Sequence, residues 1–166
     1  MYLSDFAGVI RKVLQNSEKE EVSLAEELEM TKQYLNLEKL RFDFDFTIST
    51  ANDIDTNNTM IPSLLLQPFA ENAVIHGLQN KSGKRQLNIE TFRENSGIKI
   101  TIEDNGVGRK IAREIATEKN GKGSKLMKER LEILQQKQGE KYHLEIIDIA
   151  GEKTGTRVEI IIPEEK

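Results

Sequence analysis

The period of the apolar residues changes at Phe42, and that change narrows the folds open to the chain. Before it, Leu3, Phe6, Ile10 and Val13 recur at spacings of three and four, as do Leu24, Leu28, Thr31 and Leu35 after the charged break NSEKEE. Such spacing lines one face of an α-helix, so the first forty or so residues read as two helices packed on each other or on a second copy of themselves. Ser23, with Glu26 three residues on, forms the capping box that starts the second helix. From Phe42 the apolar residues alternate instead, and Phe42, Phe44, Phe46 and Ile48 share one face of a strand.

An Asn- and Asp-rich loop, NDIDTNNTM, follows that strand. The run MIPSLLLQPFAENAVIHGL then reads as a mostly apolar helix, opened by Pro62 and stopped at Gly77, with Pro68 either kinking it or sitting where no hydrogen bond is asked of it. RQLNIETFRE and GIKITIED alternate again and form a hairpin across ENSG. GKGSKLMKERLEILQQKQ reads as a helix, and YHLEIIDI and TRVEIIIP close the chain as strands around AGEKTG. The predicted order is two helices, strand, helix, two strands, helix, two strands.

Composition excludes several classes of function. The 166 residues suffice for one domain, or one domain with an appendage. Against 24 Lys and Arg stand 28 Asp and Glu, and the basic cluster at 122 to 130 is outweighed, so a nucleic-acid surface is not expected. No apolar run approaches the roughly 18 residues of a membrane span, and MYLSDFAGVIRKVLQNS is amphipathic rather than a signal peptide. With no cysteine and only His76 and His143, the chain has neither a zinc cluster nor a disulfide framework, which fits a reducing compartment.

Three stretches carry chemistry. In ENAVIHG, Asn72 and His76 lie four apart on one helical face, with Glu71 about 100° round the axis. A polar strip on a mostly buried helix needs a partner, and the cap of a neighbouring loop serves as well as a ligand. In IEDNGVG a strand ends in Asp104 and turns through Gly106 and Gly108. The glycines let backbone approach a flat or anionic ligand, and an ionised carboxylate, being acceptor-only, suits an exocyclic amine such as that of adenine. The same D-x-G-x-G also makes an ordinary turn. In GKGSKLMKERL, Gly121 and Gly123 open a helix whose N–H groups form an anion site, with Lys122 or Lys125 adding charge for phosphates; a hinge is the other reading.

Taken in order, with strands between, LLLQPFAENAVIHGL, IEDNGVG and GKGSKLMKERL resemble the N box and two glycine boxes of the Bergerat-type ATP-binding fold. Histidine kinases, gyrase, the MutL repair proteins and a heat-shock chaperone share that fold. SLAEELEMTKQYLNLEKLRF ahead of IPSLLLQPFAENAVIHG is similar, more narrowly, to the LytS-type sensor histidine kinases, and the resemblance covers nearly the whole chain. It implies an α+β fold, a two-layer α/β sandwich with a mixed sheet covered on one face by helices. Residues 42–166 would be this catalytic domain and residues 1–41 a partial dimerisation segment of helices.

The resemblance also implies roles. The Asn72 side-chain oxygen would meet a Mg²⁺ that bridges the phosphates of ATP, and Glu71 would orient or help deprotonate the acceptor or a metal-bound water. His76 would sit near the phosphates, and Asp104 would hold adenine with Gly106 and Gly108 making room. Residues 109 to 123 would be the ATP lid, bringing Gly121, Lys122, Gly123 and Lys125 to the nucleotide. The partners implied are ATP, a phosphoacceptor helix upstream in the same full-length protein, a response regulator, and a second copy through the N-terminal helices. No nucleic acid and no membrane contact are expected of this segment, whose place is cytoplasmic with any anchor upstream.

Two features depart from the family pattern. The phosphorylated histidine of such kinases lies in a stretch of the type P-H-F-x-F-N, which this sequence lacks. The expectation is a catalytic part of a longer kinase that begins just after the phosphoacceptor site. The second glycine box has Ser124 and Leu126 where Leu and Asn are frequent, and no aromatic residue stands between 109 and 130. These departures motivate an alternative, a catalytically silent nucleotide-sensing interaction module. An ATPase of the gyrase or MutL sort fits less well, because there the base and the Asn lie four residues apart, whereas Glu71 and Asn72 are adjacent.

Overall fold

The computed structural model describes residues 19–95, 97–115, 142–151 and 153–163, together with Glu129, Glu132 and Gln136. The described chain opens with strand β1 (Glu21–Ser23) and passes directly into helix α1 (Leu24–Lys39). The capping box between them is closed both ways: Glu26 N donates to Ser23 Oγ at 3.2 Å and Ser23 N to Glu26 Oε2 at 3.0 Å. A cap of this kind contributes about 1 kcal/mol. Leu24, Leu28 and Leu35 of α1 are buried in one core with Leu87, Ile89, Ile100 and Ile102, so this helix spends its apolar stripe on its own chain's sheet.

Strand β2 (Asp45–Thr50) starts three residues later than the alternation of phenylalanines predicts. Arg41 N and Phe42 N both still donate to Glu38 O, which keeps the chain turning off the helix. The Arg41 guanidinium lies 5.0 Å above the Phe42 ring centroid and holds that turn.

Strand β3 (Met60–Pro62) pairs antiparallel with β1, Pro62 opposite Glu21. Pro62 therefore closes a strand and does not open a helix. Helix α2 (Gln67–Asn72) begins five residues further on, with Pro68 in its first turn. A proline there lacks only an N–H that the helix would leave unpaired, so Pro68 starts the helix rather than kinking it. The helix then widens into a π-helical segment over Ala73–Leu78. Gln79 N donates to Val74 O at 2.9 Å, the five-residue spacing of a π-turn, so Gly77 does not stop the helix.

Strands β4 (Gln86–Glu94) and β5 (Gly97–Asp104) form the predicted hairpin, followed by helix α3 (Arg109–Ile115). Strands β6 (His143–Ile149) and β7 (Gly155–Pro163) form the second predicted pair. The larger sheet runs β2-β4-β5-β7-β6, parallel between β2 and β4 and antiparallel elsewhere. In register, Ile89 faces Ile102, Ile102 faces Val158, and Ile100 faces Ile160, all buried under the helices. Alternate residues point the other way: Lys99 Nζ reaches Glu159 at 2.8 Å and Arg157 Nε reaches Glu103 at 2.6 Å. The result is a two-layer α/β sandwich of α+β class, its mixed sheet covered on one face by helices. Among the described residues no helix is long and apolar enough to cross a membrane. The helix expected from 121 lies outside the described residues, apart from helical conformation at Glu129, Glu132 and Gln136.

Candidate functional site

The site gathers where β5 ends against the π-helical segment. Asp104 is the last residue of β5, opposite Leu87 on one side and Thr156 on the other, and only 4% exposed. Its Oδ1 accepts from Gly106 N at 2.8 Å. Burial pushes the carboxyl up to about 7 from the ordinary 3.8; the Gly106 and Thr156 N–H groups pull the other way, the Glu103 charge raises it and Lys81 lowers it. A buried carboxyl whose pKa lies near neutrality, at the end of a central strand, marks a candidate functional group.

Glycines make this arrangement possible. A Cβ at Gly77 would lie 2.7 Å from Asp104 Oδ1, and one at Gly106 would lie 2.5 Å from Gly77 Cα and 2.6 Å from Asp104 Oδ1. The helix backbone, the turn and the carboxylate thus touch with nothing between them. Val107 N donates to Gly77 O at 3.2 Å, and Thr154 Oγ1 donates to Gly106 O at 2.8 Å. Asn105 staples the turn to the start of β4, accepting from Gln86 N at 2.8 Å and donating through Nδ2 to Lys84 O at 3.1 Å. Gly108 serves the turn differently, through a φ of +81°, with the Gly155 backbone no nearer than ordinary contact to where a Cβ would stand.

Asn72 closes α2 immediately before the π-helical segment, half-buried, with Glu71 exposed beside it and His76 half-buried further along. The π-turn between Asn72 and His76 departs from the α-helical geometry that puts residues four apart on one face. Arg109 ties the start of α3 to β6 with a forked pair, Nε to Asp148 Oδ1 at 2.7 Å and NH2 to Asp148 Oδ2 at 2.8 Å. Gly121, Lys122, Gly123 and Lys125 lie outside the described residues, as does the rest of the expected lid beyond Ile115.

Sequence reasoning missed Gly77 as a contact, Thr154 as a brace for Gly106, and Glu27. Glu27 left a legible signal, a carboxylate falling with Leu24, Leu28 and Thr31 on an otherwise apolar stripe. The other two left none, because each matters only through a neighbour distant in sequence.

Residues 1–46 match the family model described as Histidine kinase. The sensor histidine kinase YesM of Bacillus subtilis is 30% identical over 156 residues, 91% of this chain and 26% of that protein. The sensor protein LytS of Staphylococcus saprophyticus is 28% identical over 132 residues, 76% of this chain and 22% of that protein. The chain thus spans between about a sixth and about a quarter of the length of the curated relatives it matches. Among solved structures, the catalytic domain of histidine kinase ThkA superposes with a TM-score of 0.56 at 16% identity, over 86% of this chain and 94% of that one. Motifs, relatives and architecture agree: the chain belongs to the LytS-type sensor histidine kinases and has the fold of their catalytic domain.

Proposed function

We propose that the chain is the ATP-binding catalytic part of a sensor histidine kinase, which transfers the γ-phosphoryl of Mg²⁺-ATP to a histidine outside it. The observation that carries this reading is the buried Asp104 carboxylate at the end of β5, walled by Gly77 and Gly106. A buried acceptor held, among the described residues, by backbone N–H groups suits a flat heterocycle with an exocyclic amine, and the side-chain-free wall lets that ring approach. Asn72 fits the other half: its side-chain amide is half-buried, forms no hydrogen bond among the described residues, and would offer one hard oxygen to a Mg²⁺ ion.

Mg²⁺-ATP, when bound, supplies the transferable phosphoryl group and much of the charge neutralisation. The chain's own share is positioning. Asp104 accepts a hydrogen bond from the adenine amine and fixes the ring. Asn72 would hold the Mg²⁺ ion, and His76 would donate toward the phosphates. Glu71, exposed on the same helix, accepts the acceptor imidazole's N–H and aligns its other nitrogen for in-line attack. Lys122 and Lys125, with the backbone of Gly121 and Gly123, would close over the phosphates. An upstream phosphoacceptor helix, a response regulator and a second copy of the chain complete the proposed set of partners.

Two measurements test the reading. Calorimetric titration with a non-hydrolysable ATP analogue should saturate, more tightly with Mg²⁺ than without. Radiolabelled ATP, added with a separately prepared histidine-bearing dimerisation segment, should label that segment. Good binding with no label transfer would favour the silent nucleotide-sensing module, and no binding at millimolar ligand would reject both.

A further inference from the structure

Glu27 lies on the core-facing stripe of α1 and is fully buried. Its carboxylate divides between two backbone donors 37 and 39 residues away: Oε2 accepts from Leu64 N at 3.1 Å and Oε1 from Leu66 N at 2.8 Å. Burying a carboxylate costs several kcal/mol unless its oxygens are well bonded, so its place on an apolar stripe points to what it holds. The two donors belong to the turn that starts α2. Leu64 sits there at a φ of 58°, a left-handed conformation that disfavours a residue with a side chain. Leu66, at the N-cap of α2, has no polar side chain with which to cap it. Glu27 supplies that cap from another helix.

Neighbouring bonds join the same two segments. Ser63 N donates to Glu20 O at 3.1 Å, Ser63 Oγ to Lys19 O at 2.6 Å, and Leu24 N to Thr59 O at 2.8 Å. Helix α2 and its π-helical continuation are therefore held at both ends, by Glu27 at the start and by the Gly77 contact with Gly106 and Val107 near the end. Asn72 lies between these two anchors. Asp104, by contrast, is held by β5, whose neighbours β4 and β7 pair with it along its length.

We propose that Glu27 is a positioning residue for the phosphate and Mg²⁺ side of the pocket, fixing Asn72 by capping α2, while the adenine side keeps its geometry without it. The inference rests on the nucleotide-pocket reading above. It predicts a selective loss: releasing the start of the helix displaces Asn72 more than it displaces Gly77 against Asp104.

The test uses the whole chain and its Glu27→Gln and Glu27→Asp variants, titrated with adenosine alone and with Mg²⁺ plus a non-hydrolysable ATP analogue. Titrations are run at a temperature where thermal scans show each protein folded. Gln keeps the shape but turns an amide N–H₂ toward one of the two backbone donors; Asp keeps the charge on an arm one methylene shorter. The expected result is a loss of about tenfold in affinity for the Mg²⁺-nucleotide in Glu27→Gln, less in Glu27→Asp, with adenosine affinity within about twofold of wild type. Equal losses for both ligands, or a lower Tm with unchanged affinities, would overturn the inference and leave Glu27 a stabilising residue only. Should Glu27→Gln fail to fold, the same ratio in Glu27→Asp decides. If the wild-type chain binds neither ligand, the nucleotide reading falls and the inference with it; binding by wild type with an unselective variant overturns the role of Glu27 alone.

Discussion

The backbone of Gly77 lies against the side chain of Asp104, so close that a methyl group at position 77 would stand 2.7 Å from Oδ1 and 3.2 Å from Cγ. The contact joins a π-helical turn to the end of a central strand, and it is possible only because one partner has no side chain. Gly77→Ala must displace either the helix or the carboxylate. The expected cost is about 1 to 3 kcal/mol of stability, as for overpacking in a close-packed interior, with weaker adenosine binding. Thermal unfolding and calorimetry on the same preparation measure both; a variant with wild-type Tm and wild-type affinity would show that the contact yields.

The Asp104 carboxyl, pushed up to about 7 from 3.8, makes stability depend on pH with a defined sign. Through that interval the native state keeps a proton that the unfolded chain has lost, so the contribution is full at low pH and falls as pH rises toward 7. Asp104→Asn has no such slope. In urea unfolding, the stability of the variant minus that of wild type should therefore grow between pH 5 and pH 8, by at most about 1.4 kcal/mol per pH unit.

An amine donor binds the ionised form of Asp104. Adenosine affinity should then rise roughly tenfold from pH 6 to pH 8, with a proton released on binding below neutrality. Calorimetry in two buffers of different ionisation enthalpy reads the proton directly. In Asp104→Asn the pH dependence should vanish and affinity fall by about 1.5 to 3 kcal/mol, the worth of a charged hydrogen bond. Binding like that of wild type would remove Asp104 from the pocket.

Asn72→Ala should leave adenosine binding within about twofold of wild type while abolishing the strengthening of ATP-analogue binding by Mg²⁺. Titrations with and without the ion separate the two effects, and equal losses in both would count against a metal-side role for Asn72.

Leu35 of α1 is fully buried in the core that the sheet also lines. Leu35→Ala should cost about 2 to 5 kcal/mol in one cooperative unfolding transition, because helix and sheet share a single interior. Two separable transitions would mean that α1 folds as a separate unit.

Much of the architecture was legible in the residues. Reciprocal hydrogen bonding makes Ser23 and Glu26 a local signal, and they cap α1 as expected. Alternation of apolar residues found both hairpins, and Asp104 does end a strand and does turn through Gly106. Pro62 misled, and Pro68 stood open between a kink and a place where no hydrogen bond is asked of it. Local rules say only that Pro cannot sit inside a helix, and leave open whether it ends a strand or begins the next element. Pro62 closes β3 because that strand finds β1, and Pro68 falls at the start of α2 because the turn before it is held by Glu27. Both partners come from near the start of the described chain, beyond the reach of a local pattern.

Sequence alone determined the periodicities, the cap of α1, the strand that delivers Asp104, and the motifs that mark the LytS-type kinases, since each depends on residues a few positions apart or on a recognisable string. Tertiary structure decided the rest. It laid the stripe of α1 on its own sheet, widened the helix after Asn72 into a π-turn, and brought Gly77, Gly106 and Asp104 into contact. It also turned the buried carboxylate of Glu27 into a cap for α2. The physical reason is that burial, close approach and hydrogen-bond partnership join atoms far apart along the chain, and those are set only when the layers pack.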